Sequence, residues 1–159
     1  MRPKILVGTV AATAGAAIVG SMASRSSIDS WYTTIRKPTY VPPNVVFPLA
    51  WTTLYGDIAV TSAVAIDRLR VDGKHAQARS FVVALLANLV LNAGWSWLFF
   101  SRHKLGASAV AAAALTASSA DLVRRTAAAN AGAGSALAAY PLWCGFATVM
   151  STDIWRLNR

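Results

Sequence analysis

Residues 44–66 read NVVFPLAWTTLYGDIAVTSAVAI, an apolar run whose only charged residue is Asp57. A helix needs roughly 20 such residues to cross about 30 Å of hydrocarbon, so the run predicts a membrane-spanning helix. Similar apolar runs, each bounded by charged residues, bring the predicted spans to about 5–24, 44–66, 81–101, 105–123 and 133–155. The sequence therefore predicts an all-α integral membrane protein, with residues 1–159 forming a single five-transmembrane-helix bundle.

The composition agrees with a membrane protein and excludes several classes of enzyme. Hydrophobic residues make up 55% of the chain and charged residues 13%, whereas soluble domains carry about 25% charged residues. All six acidic residues are Asp, which excludes HExxH metalloproteases and glutamate glycosidase pairs. Because Cys144 is the single cysteine, no internal disulfide can form, and we predict no metal site.

The net charge of +9 comes from basic residues grouped between the apolar runs rather than along one face. This distribution favours anionic membrane lipids over nucleic acid as the partner. The chain shows no transit peptide rich in Arg and Ser, so we expect a bacterial inner membrane, with an organellar membrane as the alternative. Basic residues on the two sides nearly balance, and the orientation is left open.

The first apolar run has two interpretations. Arg2 and Lys4 precede it and residues 22–24 resemble a cleavage site, as in a signal peptide. Every fourth position carries a small residue, namely Gly8, Ala12, Ala16 and Gly20. Small residues at this spacing let a neighbouring helix approach closely, which favours a retained helix packed within the bundle or against a second copy.

Residues 25–43 form the one long connection between predicted spans. Three prolines forbid a continuous helix there, and three aromatic residues favour the membrane interface: Pro38, Pro42 and Pro43, with Trp31, Tyr32 and Tyr40. We therefore predict an ordered capping loop.

Asp57 lies near the middle of the second span, where an ionised carboxylate is costly. It could serve as a proton or cation site, or it could be a neutral carboxyl used in packing. The second interpretation is favoured because no other ionisable residue lies at mid-span to form a relay. In that case we expect Asp57→Asn to have only a mild effect on stability and on ligand flux.

Helical periodicity places aromatic and amide side chains on one face of each of three spans. These faces comprise Phe47, Trp51 and Tyr55 in the second span; Asn88, Asn92, Trp95, Ser96 and Phe99 in the third, with Trp97 pointing away; and Tyr140, Trp143, Ala147, Met150 and Ile154 in the fifth. Where the faces meet, we predict an apolar, aromatic pocket for a small molecule, with Trp51 and Trp143 as facing walls. The alternative is that the Trp residues serve only as interface anchors and packing groups.

Ordinary acid–base catalysis is not predicted. His75 and His103 fall in the connections between spans, and neither a phosphate-binding loop nor a nucleophile elbow is present. We assign no catalytic residue from these patterns.

Three stretches of the chain resemble a known family. The first comprises Trp31-Tyr32, Arg36-Lys37-Pro38, Tyr40, Pro42-Pro43, Phe47, Trp51 and Leu54-Tyr55. The second is LNAGWSWLFF at 91–100, and the third, in the fifth span, comprises Tyr140, Trp143, Phe146 and WRLN at 155–158. Together they resemble the signature of the translocator protein family, also called tryptophan-rich sensory proteins or peripheral-type benzodiazepine receptors. The resemblance covers nearly the whole chain.

The resemblance implies a five-helix homodimer that binds porphyrins, such as protoporphyrin IX or haem, together with sterol-like lipids and benzodiazepine-type drugs. No obligatory cofactor is implied. By position, the implied pocket residues are Tyr32, Pro42, Trp51, Tyr55, Asn92, Trp95, Trp143 and Ala147. The implied roles are tetrapyrrole sensing, buffering or transport; alternatives are light-dependent porphyrin breakdown involving Trp51 and a small transporter using Asp57.

This sequence departs from the family pattern at several positions. Tyr40 stands where many members have Trp, Ala139 replaces a usual Pro, and Ser151 replaces an Asn. No Tyr occurs between Val149 and Arg156, where the sterol-recognition motif requires one, which argues against high-affinity sterol binding.

Overall fold

The computed structural model describes residues 2–159 and is built from helices. In chain order these are α1 (Pro3–Ser24), α2 (Trp31–Thr34), α3 (Val46–Val71), α4 (His75–Ser96) with a π-helical turn (Trp97–Ser101), α5 (Leu105–Ala129), α6 (Ala131–Leu137) and α7 (Ala139–Leu157). Five segments are long and apolar enough to cross a membrane: α1, α3, α4 with its π-helical turn, α5, and α6 with α7. The predicted all-α, five-span fold class is confirmed.

The helices extend further than the apolar runs at one end of the bundle. α3 continues to Val71 and α4 begins at His75, so the two are joined by a turn in which Gly73 adopts a φ of 72°. Glycine suits this left-handed conformation because it has no Cβ. An ion pair between Arg68 Nε and Asp72 Oδ1, 3.4 Å apart, lies at the end of α3. Charged residues can continue a helix beyond the hydrocarbon, and for this reason hydropathy underestimates its length.

α1 packs against α3 and α4, α4 packs against α5, and α5 packs against α7. The small residues of α1 are used within this arrangement: Ala12 and Ala16 contact the buried core, and a Cβ on Gly20 would lie 3.3 Å from Ser96 Oγ. Gly8, by contrast, has open space around it. Most of the predicted small-residue stripe therefore serves packing inside the bundle.

A close approach between α5 and α6 depends on one glycine. The chain turns at Asn130, whose side chain accepts a hydrogen bond from Ala133 N at 2.9 Å and caps α6. The turn folds α6 back so that Gly134 lies directly against Ala127 of α5; a Cβ on Gly134 would approach the Ala127 backbone to 2.5 Å.

We predict that Gly134→Ala destabilises the protein, because the added methyl group forces α5 and α6 apart. Overpacking of this kind costs on the order of 1–3 kcal/mol. Gly15→Ala is the matched control, since nothing lies within 4 Å of its position and alanine has the better helix propensity. Thermal unfolding in detergent should show a lower midpoint for Gly134→Ala only; equal midpoints would contradict the close contact.

Candidate ligand cavity

A cavity of about 530 Å³ lies between α1, α3 and α4. Its volume is in the range of drug-sized ligand sites. The lining consists of Ala17, Gly20, Ser21 and Ser24 of α1; Ile28 and Tyr32 of the loop; Asn44, Val45, Phe47, Pro48, Trp51, Thr52 and Tyr55 at and within the start of α3; Trp95, Ser96, Phe99 and Phe100 of α4 and its π-helical turn; and Met150 of α7.

Four of the eight predicted pocket residues line this cavity: Tyr32, Trp51, Tyr55 and Trp95. Asn92 lies one layer behind, where its Oδ1 accepts a 2.6 Å hydrogen bond from the Tyr55 hydroxyl. Pro42, Trp143 and Ala147 lie outside the lining.

The position of α7 accounts for this difference from the predicted pocket. α7 packs along α5 and gives the cavity one residue, Met150. The Trp143 ring contacts Phe47 at 6.1 Å and Phe146 at 5.5 Å between centroids, so it lies beside the cavity and does not face Trp51 across it. α1 supplies the opposite wall. Nothing in the sequence of its small residues had indicated that they would line a binding surface.

Aromatic rings form two walls of the cavity. Trp51 and Tyr55 lie on α3 with ring centroids 5.6 Å apart. Trp95 and Phe99 stack at 5.6 Å with an interplanar angle of 25°, and Phe100 meets Phe99 edge-on at 4.8 Å. Offset and edge-to-face arrangements of this kind are favourable for aromatic pairs, and they leave ring faces that a flat molecule could stack on.

A chain of hydrogen bonds runs from the cavity into the bundle. The Tyr55 hydroxyl donates to Asn92 Oδ1 at 2.6 Å, and Asn92 Nδ2 donates to the Tyr140 hydroxyl at 3.2 Å. Tyr140 in turn donates to Asn88 Oδ1 at 2.7 Å, and Asn88 Nδ2 donates to Ser118 Oγ at 3.1 Å. The chain links α3, α4, α7 and α5 and satisfies both buried amides.

The cavity lining has little polarity and, among the residues described, no charged side chain. Ser21 and Ser24 use their hydroxyl protons on backbone carbonyls, at 2.8 and 3.1 Å, and so offer acceptor lone pairs. The buried indole N–H of Trp95 has no hydrogen-bond partner within residues 2–159. Asp57 is not a lining residue. The interior therefore suits an apolar molecule with few polar atoms.

The capping loop covers one end of the cavity with Tyr32. Lys37 lies behind this residue: its Nζ donates to the Tyr32 carbonyl at 2.5 Å and lies 4.5 Å from the ring centroid. Burial raises the pKa of the Tyr32 hydroxyl, which keeps it neutral. The preceding Trp31 ring stacks on His103 at 4.0 Å and so attaches the loop to the α4–α5 connection.

The far end of the loop is attached to the end of α7. Asn158 Oδ1 accepts from Arg36 N at 2.9 Å, and Asn158 Nδ2 donates to the Arg36 carbonyl at 2.8 Å. The Tyr40 hydroxyl donates to Asp153 Oδ2 at 2.7 Å. Loss of hydration there, together with the Asp153 hydrogen bond and charge, raises the pKa of Tyr40 to about 12. Sequence reasoning did not identify Asn158 as a loop contact.

We predict that Tyr140→Phe is strongly destabilising. Removing the hydroxyl leaves Asn88 Oδ1 and Asn92 Nδ2 unpaired in the bundle interior, at a cost of about 1–3 kcal/mol. Tyr40→Phe is the matched control, because it breaks one hydrogen bond on an exposed ring. Thermal unfolding in detergent compares the two, and a Tyr140→Phe midpoint no lower than that of Tyr40→Phe would show that the network is not structural.

We also predict that Asn158→Ala loosens the capping loop. The variant loses two hydrogen bonds to the Arg36 backbone, each of which contributes roughly 0.5–1.5 kcal/mol. Amide exchange at residues 35–37 should therefore become about tenfold faster. Asn44→Ala, a change at another exposed asparagine, should leave exchange there unchanged. Hydrogen–deuterium exchange measured by mass spectrometry tests this, and unchanged exchange in Asn158→Ala would refute it.

Comparison with known proteins agrees with this architecture. The model of the TspO/MBR family matches residues 8–156. The chain is 28% identical to protein CrtK of Rhodobacter capsulatus, over 89% of this chain and 87% of the relative. It is 30% identical to a tryptophan-rich sensory protein of Cereibacter sphaeroides, over 82% and 78% of the two chains, and 32% identical to the tryptophan-rich protein TspO of Chlorobaculum tepidum, over 81% and 80%. With five apolar helices and a family match across nearly its whole length, the chain is a membrane protein that belongs to the TspO/MBR family.

Proposed function

We propose that the protein binds a porphyrin, such as protoporphyrin IX or haem, in the cavity between α1, α3 and α4, and that it senses, buffers or transports this ligand. The observation that carries the proposal is the combination of stacked aromatic walls with a lining free of charged side chains in the described chain. A flat conjugated macrocycle fits such walls by stacking. The name of the Cereibacter relative, a sensory protein, supports sensing among the three roles.

The macrocycle would stack on Trp51 from one side and on the Phe99 region from the other. Its carboxylate arms would stay at the cavity mouth, because no lining side chain could neutralise them. Arg25 follows the lining residue Ser24, and the Arg36 side chain is exposed in the loop. We assign the carboxylates to these guanidinium groups; Lys37 already bonds to Tyr32.

The alternatives differ in what they require of single residues. A transporter coupled through Asp57 gains no support, because Asp57 lies outside the cavity lining. Light-dependent porphyrin breakdown shares the cavity, and one observation favours it: the Trp51 ring lies 5.6 Å from that of Tyr55 and 6.5 Å from that of Tyr140. Such rings could exchange an electron with an excited porphyrin. That activity requires defined porphyrin products under light that are lost in Trp51→Phe.

The surroundings of the protein complete the proposal. We propose residence in a bacterial inner membrane, with membrane lipids as constant partners; the relatives compared above are bacterial proteins. Sterol-like molecules would be weaker ligands than porphyrins, because the C-terminal stretch lacks the tyrosine of the sterol-recognition motif. No obligatory cofactor is proposed.

We predict that Trp51→Ala weakens porphyrin binding by at least about tenfold, equivalent to roughly 1.4 kcal/mol, through loss of stacking and buried area. Trp51→Phe should retain most of the affinity. Binding is measured by equilibrium dialysis of the detergent-solubilised protein, which does not depend on Trp fluorescence.

Trp155→Ala is the control for this experiment, since Trp155 lies outside the lining at the end of α7. Trp97 is less suitable, because its Nε1 donates to the Val19 carbonyl of α1 at 3.1 Å and so supports a cavity wall. Equal losses in Trp51→Ala and Trp155→Ala would mean that tryptophans act through general stability and that porphyrin does not stack on Trp51.

A further inference from the structure

The cavity between α1, α3 and α4 is open on one side. Its lining residues on α1 fall between positions 17 and 24, and those at the start of α3 fall between positions 44 and 55. Ser21 is half-buried, whereas Pro48 and Thr52 are exposed on the outer surface although they line the cavity. Side chains that belong both to the lining and to the outer surface mark an opening, which therefore lies between these parts of α1 and α3.

The opening faces the hydrocarbon of the membrane. α3 begins at Val46, and Thr52 lies about 9 Å further along the helix axis. The neighbouring side chains on the outer surface are apolar and exposed, namely Ile18 and Met22 of α1, at 60% each, and Val45 and Leu49 of α3, at 71% and 69%. Acyl chains rather than water are therefore the medium outside this part of the bundle.

α1 and α3 are in close contact at the opposite end. Arg2 Nε lies 3.1 Å from Asp67 Oδ1, and Thr9 of α1 is buried. The two helices run antiparallel with the same rise per residue, so this ion pair places Ala17 level with Thr52. The opening is thus confined to the half of the α1–α3 contact that lies next to the capping loop.

The end of the cavity beneath the capping loop is closed. Tyr32 is buried there, and Asn158 and Tyr40 attach the far end of the loop to α7. Ser27 Oγ donates to the Phe100 carbonyl at 2.6 Å and attaches the near end to the π-helical turn. A molecule that passed through the loop would have to break several of these interactions, whereas the opening between α1 and α3 is already present.

We propose that the ligand enters and leaves the cavity sideways, from the hydrocarbon of the bilayer through the opening between α1 and α3, while the capping loop stays closed. This rests on the proposed binding of porphyrin in the cavity, and it makes the bilayer, not a soluble carrier, the source of the ligand. A flat amphipathic molecule in a membrane keeps its rings among the acyl chains and its carboxylates at the headgroups. It therefore reaches Trp51 by moving within the membrane plane, and its carboxylates need not cross the apolar interior.

Reversible bridges across the two entry routes test the proposal in proteoliposomes. In a Cys144→Ala background, Ala17→Cys with Thr52→Cys bridges the opening, and Tyr40→Cys with Asp153→Cys bridges the loop to α7. A bis-methanethiosulfonate reagent joins each pair, and dithiothreitol releases it. The bridge across the opening should slow both association and dissociation of protoporphyrin IX by at least about tenfold and change the dissociation constant by less than about threefold. The bridge at the loop should change neither rate by more than about threefold.

Each bridged protein is its own control, because its rates are measured again after dithiothreitol. Rates that the bridge across the opening leaves unchanged, or that the bridge at the loop slows as much or more, would overturn the proposal. Absence of porphyrin binding before any bridge is formed would instead refute the proposed function.

The medium outside the opening is measured without any ligand. A nitroxide label at Ser21→Cys, inside the lining, should be accessible to oxygen, which concentrates in hydrocarbon, and shielded from water-soluble nickel–EDDA. A label at Met22→Cys is the matched control, because Met22 lies at nearly the same depth on the exposed side of α1. Both labels should show the same preference for oxygen. A preference for nickel–EDDA at Ser21 would show that the cavity opens to water and would overturn the proposal, whether or not porphyrin binds.

Discussion

The hydrogen-bond chain through Asn92, Tyr140 and Asn88 is the constraint on which the bundle depends. Hydrocarbon offers no water to a side-chain amide, so each buried amide must find its partners on other helices. Asn88 and Asn92 find theirs on α3, α5 and α7, in the hydroxyl groups of Tyr55, Ser118 and Tyr140. Sliding any of these helices along its neighbours would break such bonds. Because Tyr55 also lines the cavity, the group that holds the helices together forms part of the candidate binding surface.

α1 is held in a different way, so the walls of the cavity differ in the interactions that fix them. No α1 residue belongs to the amide chain. Its end is attached by side chains of the π-helical turn that donate to its backbone, Trp97 to the Val19 carbonyl at 3.1 Å and Ser101 to the Ala23 carbonyl at 3.3 Å. The α3 and α4 walls are thus fixed by an interior hydrogen-bond network, whereas the α1 wall is held by apolar packing of residues such as Ala12 and Ala16, by hydrogen bonds from the π-helical turn, and by the fit of Gly20 against Ser96. Changes to Trp97 therefore act on the cavity through α1, although the indole does not line it.

Hydropathy was sufficient to predict the five spans, because length and apolarity are local properties. It could not predict that α3 continues through charged residues to Val71, or that α4 already begins at His75. Helical periodicity predicted that Trp51 and Tyr55 share one face of their helix and that Trp95 lies on the amide-bearing face of its own. Periodicity shows which residues share a face, but it does not show which helix that face contacts. For that reason Trp143 was expected opposite Trp51, and the Ala, Gly and Ser residues of α1 were not expected in the lining. The bond between Asn158 and the Arg36 backbone joins residues too distant in sequence for any local pattern to reveal.

α3 carries two polar side chains that point to opposite sides of the helix. Tyr55 and Asp57 are two residues apart, which on a helix corresponds to a rotation of about 200°. Tyr55 therefore points into the bundle, where it meets Asn92, while Asp57 lies toward the outer side, where the described chain offers its carboxyl group no partner. The two positions therefore lie on different sides of one helix, and substitutions at Tyr55 act on the cavity lining whereas substitutions at Asp57 do not.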